Sequence, residues 1–295
     1  RGLIVEIRDV TRLPDSRGLR PADQDVAQSG FARVSYVRDL PDGRRFVNDS
    51  RGFLYLVEGD RTSVYADVAA AFPLLVGLLT CYFQADDPDF SSYSLLEAAT
   101  GPSFVLALLG GVVGIASITG EYGFGTIRPT FAATPARVRV VLAKGFVAVA
   151  AVAALQTLVL AITLTVGPAL ARGQGAEVDL DQLPTGAVAA GTVVFAAMLT
   201  LFGYALGMIM RSTPVAVAVL ILWPLLAEGL IGGLLTLITD NDATAEWMPL
   251  RAAFNLLAID SFGLGPSRVQ AGLYFTGFSL TLAAIGAWRV ARTDA

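Results

Sequence analysis

The sequence predicts an all-α polytopic membrane protein of five to six transmembrane helices, preceded by a small β-rich N-terminal segment. Three observations predict it. Hydrophobic residues make up 54% of the 295 and charged residues 16%, where soluble domains carry about 45–50% and about 25%. The charges are unevenly spread: residues 1–63 hold 11 Arg and 10 acidic side chains, whereas residues 64–295 hold 25 charged side chains in 232. In that second part the charges separate apolar runs close to the roughly 20 residues that cross about 30 Å of hydrocarbon.

Two domains follow, a polar segment over 1–63 and a transmembrane domain over 64–295. Within the first, FARVSYV, RRFVND, GFLYLVEG and TSVYADV are short β-prone runs. Turn chemistry at Pro41-Asp42-Gly43 and Glu58-Gly59-Asp60 separates them, which reads as a small antiparallel meander.

The spans come next. Residues 68–83 contain Pro73 and are short for a span, so they read either as a thin or incomplete crossing or as an interfacial helix. Residues 98–120 run uncharged between Glu97 and Glu121, and 145–171 between Lys144 and Arg172. The run after Asp181 gives a span over 186–210, ended by Arg211. Residues 213–239 are interrupted only by Glu228, and 269–288 lie between Arg268 and Arg289.

Loop charges orient these spans, because positive loops stay in the cytoplasm. Loop 121–144 carries Arg128, Arg137, Arg139 and Lys144 against Glu121, and Arg211 and the Arg289/Arg292 tail fall on the same side. Segments 85–97, 172–181 and 240–267 are predominantly acidic and fall on the opposite, outer side. Every loop fits one alternating topology.

Composition also removes chemistry. The chain has no His, which excludes histidine general bases and most transition-metal sites. Its one cysteine, Cys81, cannot form an intrachain disulfide or a Cys-x-x-Cys site. The one lysine, Lys144, lies in RVRVVLAKGF, outside any G-x-x-x-x-G-K-[ST] phosphate loop. The net charge of −4 gives no reason to expect nucleic acid. No catalytic residue, metal ligand or cofactor-binding residue is therefore expected in this chain.

The stretch 119–144, TGEYGFGTIRPTFAATPARVRVVLAK, is too long for a tight turn and mixes bases with apolar residues. Gly120, Gly123 and Gly125 are expected to break the incoming helix. Thr126 would cap a short new helix with Pro129 in its first turn, and Pro135 would end it. A short amphipathic helix at the membrane surface suits docking to a soluble partner; a basic loop that merely anchors topology is the alternative.

The pattern E-x-x-x-G-T-I-R-x-T-x-x-A-T-P-x-R-x-R-x-x-x-A-K, between two spans, resembles the permease subunits of type-two ABC exporters, and the resemblance extends over about residues 90–295. The matching residues are Glu121, Gly125, Thr126, Arg128, Thr134, Pro135, Arg137 and Lys144. The resemblance implies a coupling helix that contacts a separate cytoplasmic ATP-binding cassette subunit, so that ATP is bound by that partner. Glu121, Gly125, Thr126, Arg128 and Arg137 become the candidate coupling residues. It further implies a homodimer or heterodimer of permease subunits in the lipid bilayer of a prokaryotic plasma membrane. Members of the family begin with an amphipathic helix and a strong first span, whereas here the polar segment and 68–83 take that place. Residues 30–90, which include DGRRFVNDSRGFLYLVEGDRTSVYADVAAAFP, resemble the blade-forming start of secreted quinoprotein sugar dehydrogenases, without any histidine for that catalysis.

Glu228 is an acid within an apolar run and so a candidate for gating, with snorkelling to the outer interface as the structural alternative. Gly110/Gly114, Gly203/Gly207 and Gly229/Gly233 are G-x-x-x-G pairs that allow close helix approach, within the chain or between chains. Segment 244–264 reads as an outer re-entrant hairpin or a surface helix. Asp86, Asp87 and Asp89 match no calcium-loop spacing and read as a solvated loop. The expected function is a membrane-spanning exporter permease working by alternating access. The competing reading is a non-transporting membrane-anchored protein whose residues 1–63 bind a partner.

Overall fold

The computed structural model describes residues 34–39, 45–49, 53–58, 61–87, 89–124, 137–259 and 265–293. The chain divides into two compact units, residues 1–71 and 72–295.

In the first unit, four strands form an antiparallel meander in the order β1-β2-β3-β4: β1 Val34–Asp39, β2 Arg45–Asp49, β3 Phe53–Glu58 and β4 Arg61–Asp67. Each strand coincides with one of the β-prone runs. Pairing of Asp39 with Arg45 and of Glu58 with Arg61 places two of the reversals at the Pro-Asp-Gly and Gly-Asp sequences. Those turn residues themselves lie outside the described residues. Irregularities in register fall between Val34 and Tyr36 and between Leu54 and Tyr55.

The second unit is helical. Helix α1, Val68–Gln84, enters it at Phe72 and carries Pro73 in its interior. Its 17 residues reach about 25 Å at 1.5 Å per residue, short of a full crossing. Helices α2 (Ser92–Thr100) and α3 (Ser103–Phe124) form one apolar run with a turn at Gly101-Pro102. Proline at 102 lacks the N–H that a continuous ladder would use. Ser91 and Ser94 form a reciprocal capping box at the start of α2. Helix α4, Arg137–Gly173, has 37 residues and so runs about 55 Å, well beyond the hydrocarbon thickness.

Helix α5, Thr185–Met210, is the central element, with two thirds of its most apolar window buried. It packs against α3, α4 and the last helix, α9 (Arg268–Thr293). The α3–α5 crossing is made by glycines. A Cβ at Gly114 would sit 2.3 Å from the Thr200 carbonyl oxygen, and one at Gly203 2.1 Å from that of Gly111. Thr192 and Thr200 sit buried in α5 because their hydroxyls donate to the Val188 and Ala196 carbonyls one turn back. A chain of rings joins α3, α5 and α9: Phe104 meets Phe195, which meets Phe275, which meets Phe202.

The span 213–239 is not one regular helix. It runs as α6 (Thr213–Leu222), a π-helical turn (Trp223–Ala227) and α7 (Glu228–Thr239). Pro224 removes a donor here, and the ladder widens so that the Glu228 N–H reaches the Trp223 carbonyl five residues back. Residues 242–256 then fold as short turns around helix α8, Pro249–Ala253. Among the described residues five helical runs are long and apolar enough to cross a membrane: 92–122, 138–173, 185–210, 213–239 and 268–290.

Candidate functional site

Helix occupies both ends of segment 121–144, where its charges predicted a loop. Gly120 and Gly123 do not break the incoming helix, which continues to Phe124. Among the described residues, no heavy atom beyond its chain neighbours and the backbone of its own helix lies within 4 Å of a Cβ built at Gly120. The outgoing helix already begins at Arg137. Arg139 and Lys144 therefore stand on its first two turns rather than in a loop.

The two helix ends are tied together. Glu121, on the last turn of α3, accepts a hydrogen bond and ion pair from the Lys144 ammonium on α4. The Glu121 side chain is 15% exposed and that of Lys144 34%. The pair lies between the exposed class, worth about 0–1 kcal/mol, and the buried class, whose rupture on one side costs about 3–5 kcal/mol.

Around this pair the same end of the bundle is fastened by other polar contacts. The Tyr122 ring lies 5.2 Å beneath the Arg211 guanidinium, within cation–π range. Arg211 closes α5 in the left-handed region, at φ 55°, with its N–H donating to Gly207. The Thr119 and Thr213 hydroxyls share a 2.7 Å hydrogen bond that joins α3 to the first residue of α6. Tyr204 donates its buried phenol to the Val141 carbonyl at 2.7 Å, and its ring fills the space left by Gly145. Arg289 on α9 donates to the Ile209 carbonyl. The ends of α3, α4, α5 and α9 and the start of α6 thus meet at one polar junction, and residues 125–136 connect two of those ends.

Of the predicted coupling residues, Glu121 stands at this junction. Gly125, Thr126 and Arg128 lie outside the described residues, as do the motif residues Thr134 and Pro135 and the short helix expected there. Arg137 opens α4, and its side chain likewise lies outside them. Tyr122, Tyr204, Arg211 and Thr213 were missed by sequence reasoning. Only Arg211 carried a signal, as a lone charge between two spans. The phenol and hydroxyl contacts join residues 63 and 94 positions apart, which no local pattern encodes.

Glu228 does not snorkel. It is 3% exposed, and its carboxylate turns inward. Oε1 accepts from the Trp223 indole at 2.9 Å and from the Leu250 N–H at 2.8 Å; Oε2 accepts from the Arg251 N–H at 2.8 Å. A carboxylate that finds two backbone donors inside the protein has no reason to seek the interface. Gly110, Gly114, Gly203 and Gly207 all make close contacts within the chain, while among the described residues nothing packs against Gly229 and Gly233. Trp247 stacks edge-on against Tyr274, and Trp288 lies beneath Arg292.

Among the described residues no group of His, Cys, Asp and Glu is placed to hold a metal ion. Long apolar helices, polar side chains gathered at helix ends and threonines bonded to their own helices define a polytopic helical membrane protein. The chain belongs to the ABC-2 transporter family: the model for ABC-2 family transporter proteins matches residues 26–262. It is accordingly a membrane permease of the ABC transporter class, a family of transport subunits that generally work with an ATP-binding subunit. No curated protein and no solved structure matches the chain. The family match begins at residue 26 and so includes all four strands of the meander, and nothing supports the likeness of that stretch to a quinoprotein blade.

Proposed function

We propose that this chain is the permease of an exporter, moving its substrate outward by alternating access driven by a separate cytoplasmic ATPase subunit. One observation carries the coupling part of this reading. The Glu121–Lys144 pair joins the two helices that bound loop 125–136, so a force on the loop acts on both spans together rather than on one. Thr119, Tyr122 and Tyr204 extend the connection to α5 and α6. Closure of the ATPase would push the segment that begins at Glu121 and ends at Arg137, with Gly125, Thr126 and Arg128 between them at the contact. The tightly crossed α3–α5 pair would then tilt as one body.

The positive-inside pattern supports placing this end in the cytoplasm of a prokaryotic cell. Arg139, Lys144, Arg211, Arg289 and Arg292 gather at the helix ends near the junction, while Asp86, Asp87, Asp179, Asp181, Asp240 and Asp242 belong to connections at the opposite helix ends. A single bundle offers few walls for a pathway, so two permease subunits, identical or related, would flank it. Purification of the tagged chain from its native membrane under mild detergent tests the reading. An ATP-hydrolysing subunit should co-purify; recovery of the chain without one would favour a membrane-anchored binding protein instead.

A further inference from the structure

The outer half of the broken span, α7, is weakly held. It packs chiefly on the π turn before it and on the cap formed by residues 242–253. The cap, by contrast, is embedded in the bundle. Ala252 and Ala253 are fully buried. The Phe254 ring, next in the chain, meets Phe104 of α3 and Phe195 of α5. A Cβ on Gly191 would strike the Leu256 carbonyl at 2.1 Å. Movement of α7 relative to the bundle therefore changes its contacts with the cap and with the π turn.

Glu228 sits at that contact. Met248 offers no side-chain cap to α8, and the Glu228 carboxylate takes the free Leu250 and Arg251 amides in its place. The same carboxylate holds the Trp223 indole at the π turn. The Arg251 guanidinium pairs with Glu246 instead, so all three donors to Glu228 are neutral. A buried carboxylate without a cation is tolerated only while its hydrogen bonds are made. Losing one weakens the case for the others, which makes the joint close to all-or-none. Switching elements require that property, because packed joints are bistable rather than continuously deformable.

We propose that Glu228 is a positioning residue, the latch of the outer gate: its carboxylate locks α7 and the π turn to the 242–256 cap, and release of its three hydrogen bonds frees α7 to swing outward. The inference rests on the transporter reading and adds to it the joint at which the gate opens. Trp223 also lines an open apolar groove of about 550 Å³ with Pro214, Val219, Leu222 and Leu226, so release of its indole would be felt on that face of the span.

Hydrogen exchange of the 249–253 amides in the permease–ATPase complex, in lipid nanodiscs, tests the latch with and without ATP and vanadate. In the wild type, Leu250 and Arg251 should exchange slowly without nucleotide and at least tenfold faster when trapped. In Glu228→Ala they should exchange fast in both states while ATP hydrolysis persists. Glu228→Gln keeps the side-chain shape and one acceptor oxygen, so it should give intermediate protection that still responds to nucleotide. Equal protection in both states of the wild type, with vanadate trapping verified, overturns the latch and leaves Glu228 a fixed strut. A complex that neither hydrolyses ATP nor traps vanadate overturns the transporter reading, and the latch falls with it.

Discussion

Gly203 faces Gly111 so closely that a Cβ on Gly203 would lie 2.1 Å from the Gly111 carbonyl oxygen. Because the obstacle is backbone, no rotamer change relieves it, and the α3–α5 crossing would have to separate. Gly203→Ala should therefore destabilise by an amount at the top of the about 1–3 kcal/mol range for overpacking. Gly233→Ala, against which nothing packs among the described residues, should be neutral or stabilising by up to about 1 kcal/mol, the helix preference of Ala over Gly. Thermal unfolding in detergent compares the two. A loss at Gly233 as large as at Gly203 would mean that the α7 face packs on another chain.

The Glu121–Lys144 pair makes a second prediction. A double-mutant cycle with Glu121→Gln and Lys144→Met should return a coupling of about 1–2 kcal/mol, between the exposed and buried classes. The swapped variant, Glu121→Lys with Lys144→Glu, should recover most of the loss. A coupling near zero would show that the two ends of the loop are held by something other than this pair.

Gln156 is fully buried on α4, and among the described residues neither its amide nitrogen nor its oxygen has a hydrogen-bond partner. An unsatisfied buried amide costs about 1–3 kcal/mol. Gln156→Leu keeps roughly the same volume and should raise the unfolding temperature by a comparable free energy. A drop instead would mean that the amide is paired in the assembled transporter, through a bound water or a second subunit.

Asp179 governs an acid-range prediction. It caps the 3₁₀ turn Leu180–Gln182, and its carboxylate is held below the usual range by the Asp181 N–H first, then by the Gln182 side chain and the nearby Arg172 charge. A lowered native pKa contributes stability above the ordinary carboxylate range, and that contribution is lost as pH falls through the native value. Asp179→Asn should therefore flatten the decline in stability on acidification of the wild type. An unchanged acid slope would remove Asp179 from the account.

How much of this was legible in the sequence depended on whether a feature is local. The spans after residue 90 follow largely from charge placement: Arg172 and Arg211 mark helix ends directly, whereas Lys144 stands about two turns inside α4. The four strands follow from alternation and turn residues. The end of α3 did not: glycines at 120 and 123 argue for a break, yet the helix continues past both to Phe124. Pro224 removes a backbone donor, but a kink and a π turn share that signature. Glu228 was recognisable as unusual. Its partners were not, because the Leu250 and Arg251 amides become available only where Met248 leaves a helix start uncapped, 20 residues downstream.

The central claim is that loop 125–136, rooted at Glu121 and Lys144, receives force from a separate ATPase. A photo-crosslinking residue placed at Arg128, with a second preparation at Arg137, tests it most directly in native membranes. Both positions should capture an ATP-binding cassette subunit, with a yield that changes when ATP and vanadate are added. Capture of lipid alone at both positions, with and without nucleotide, would contradict the claim.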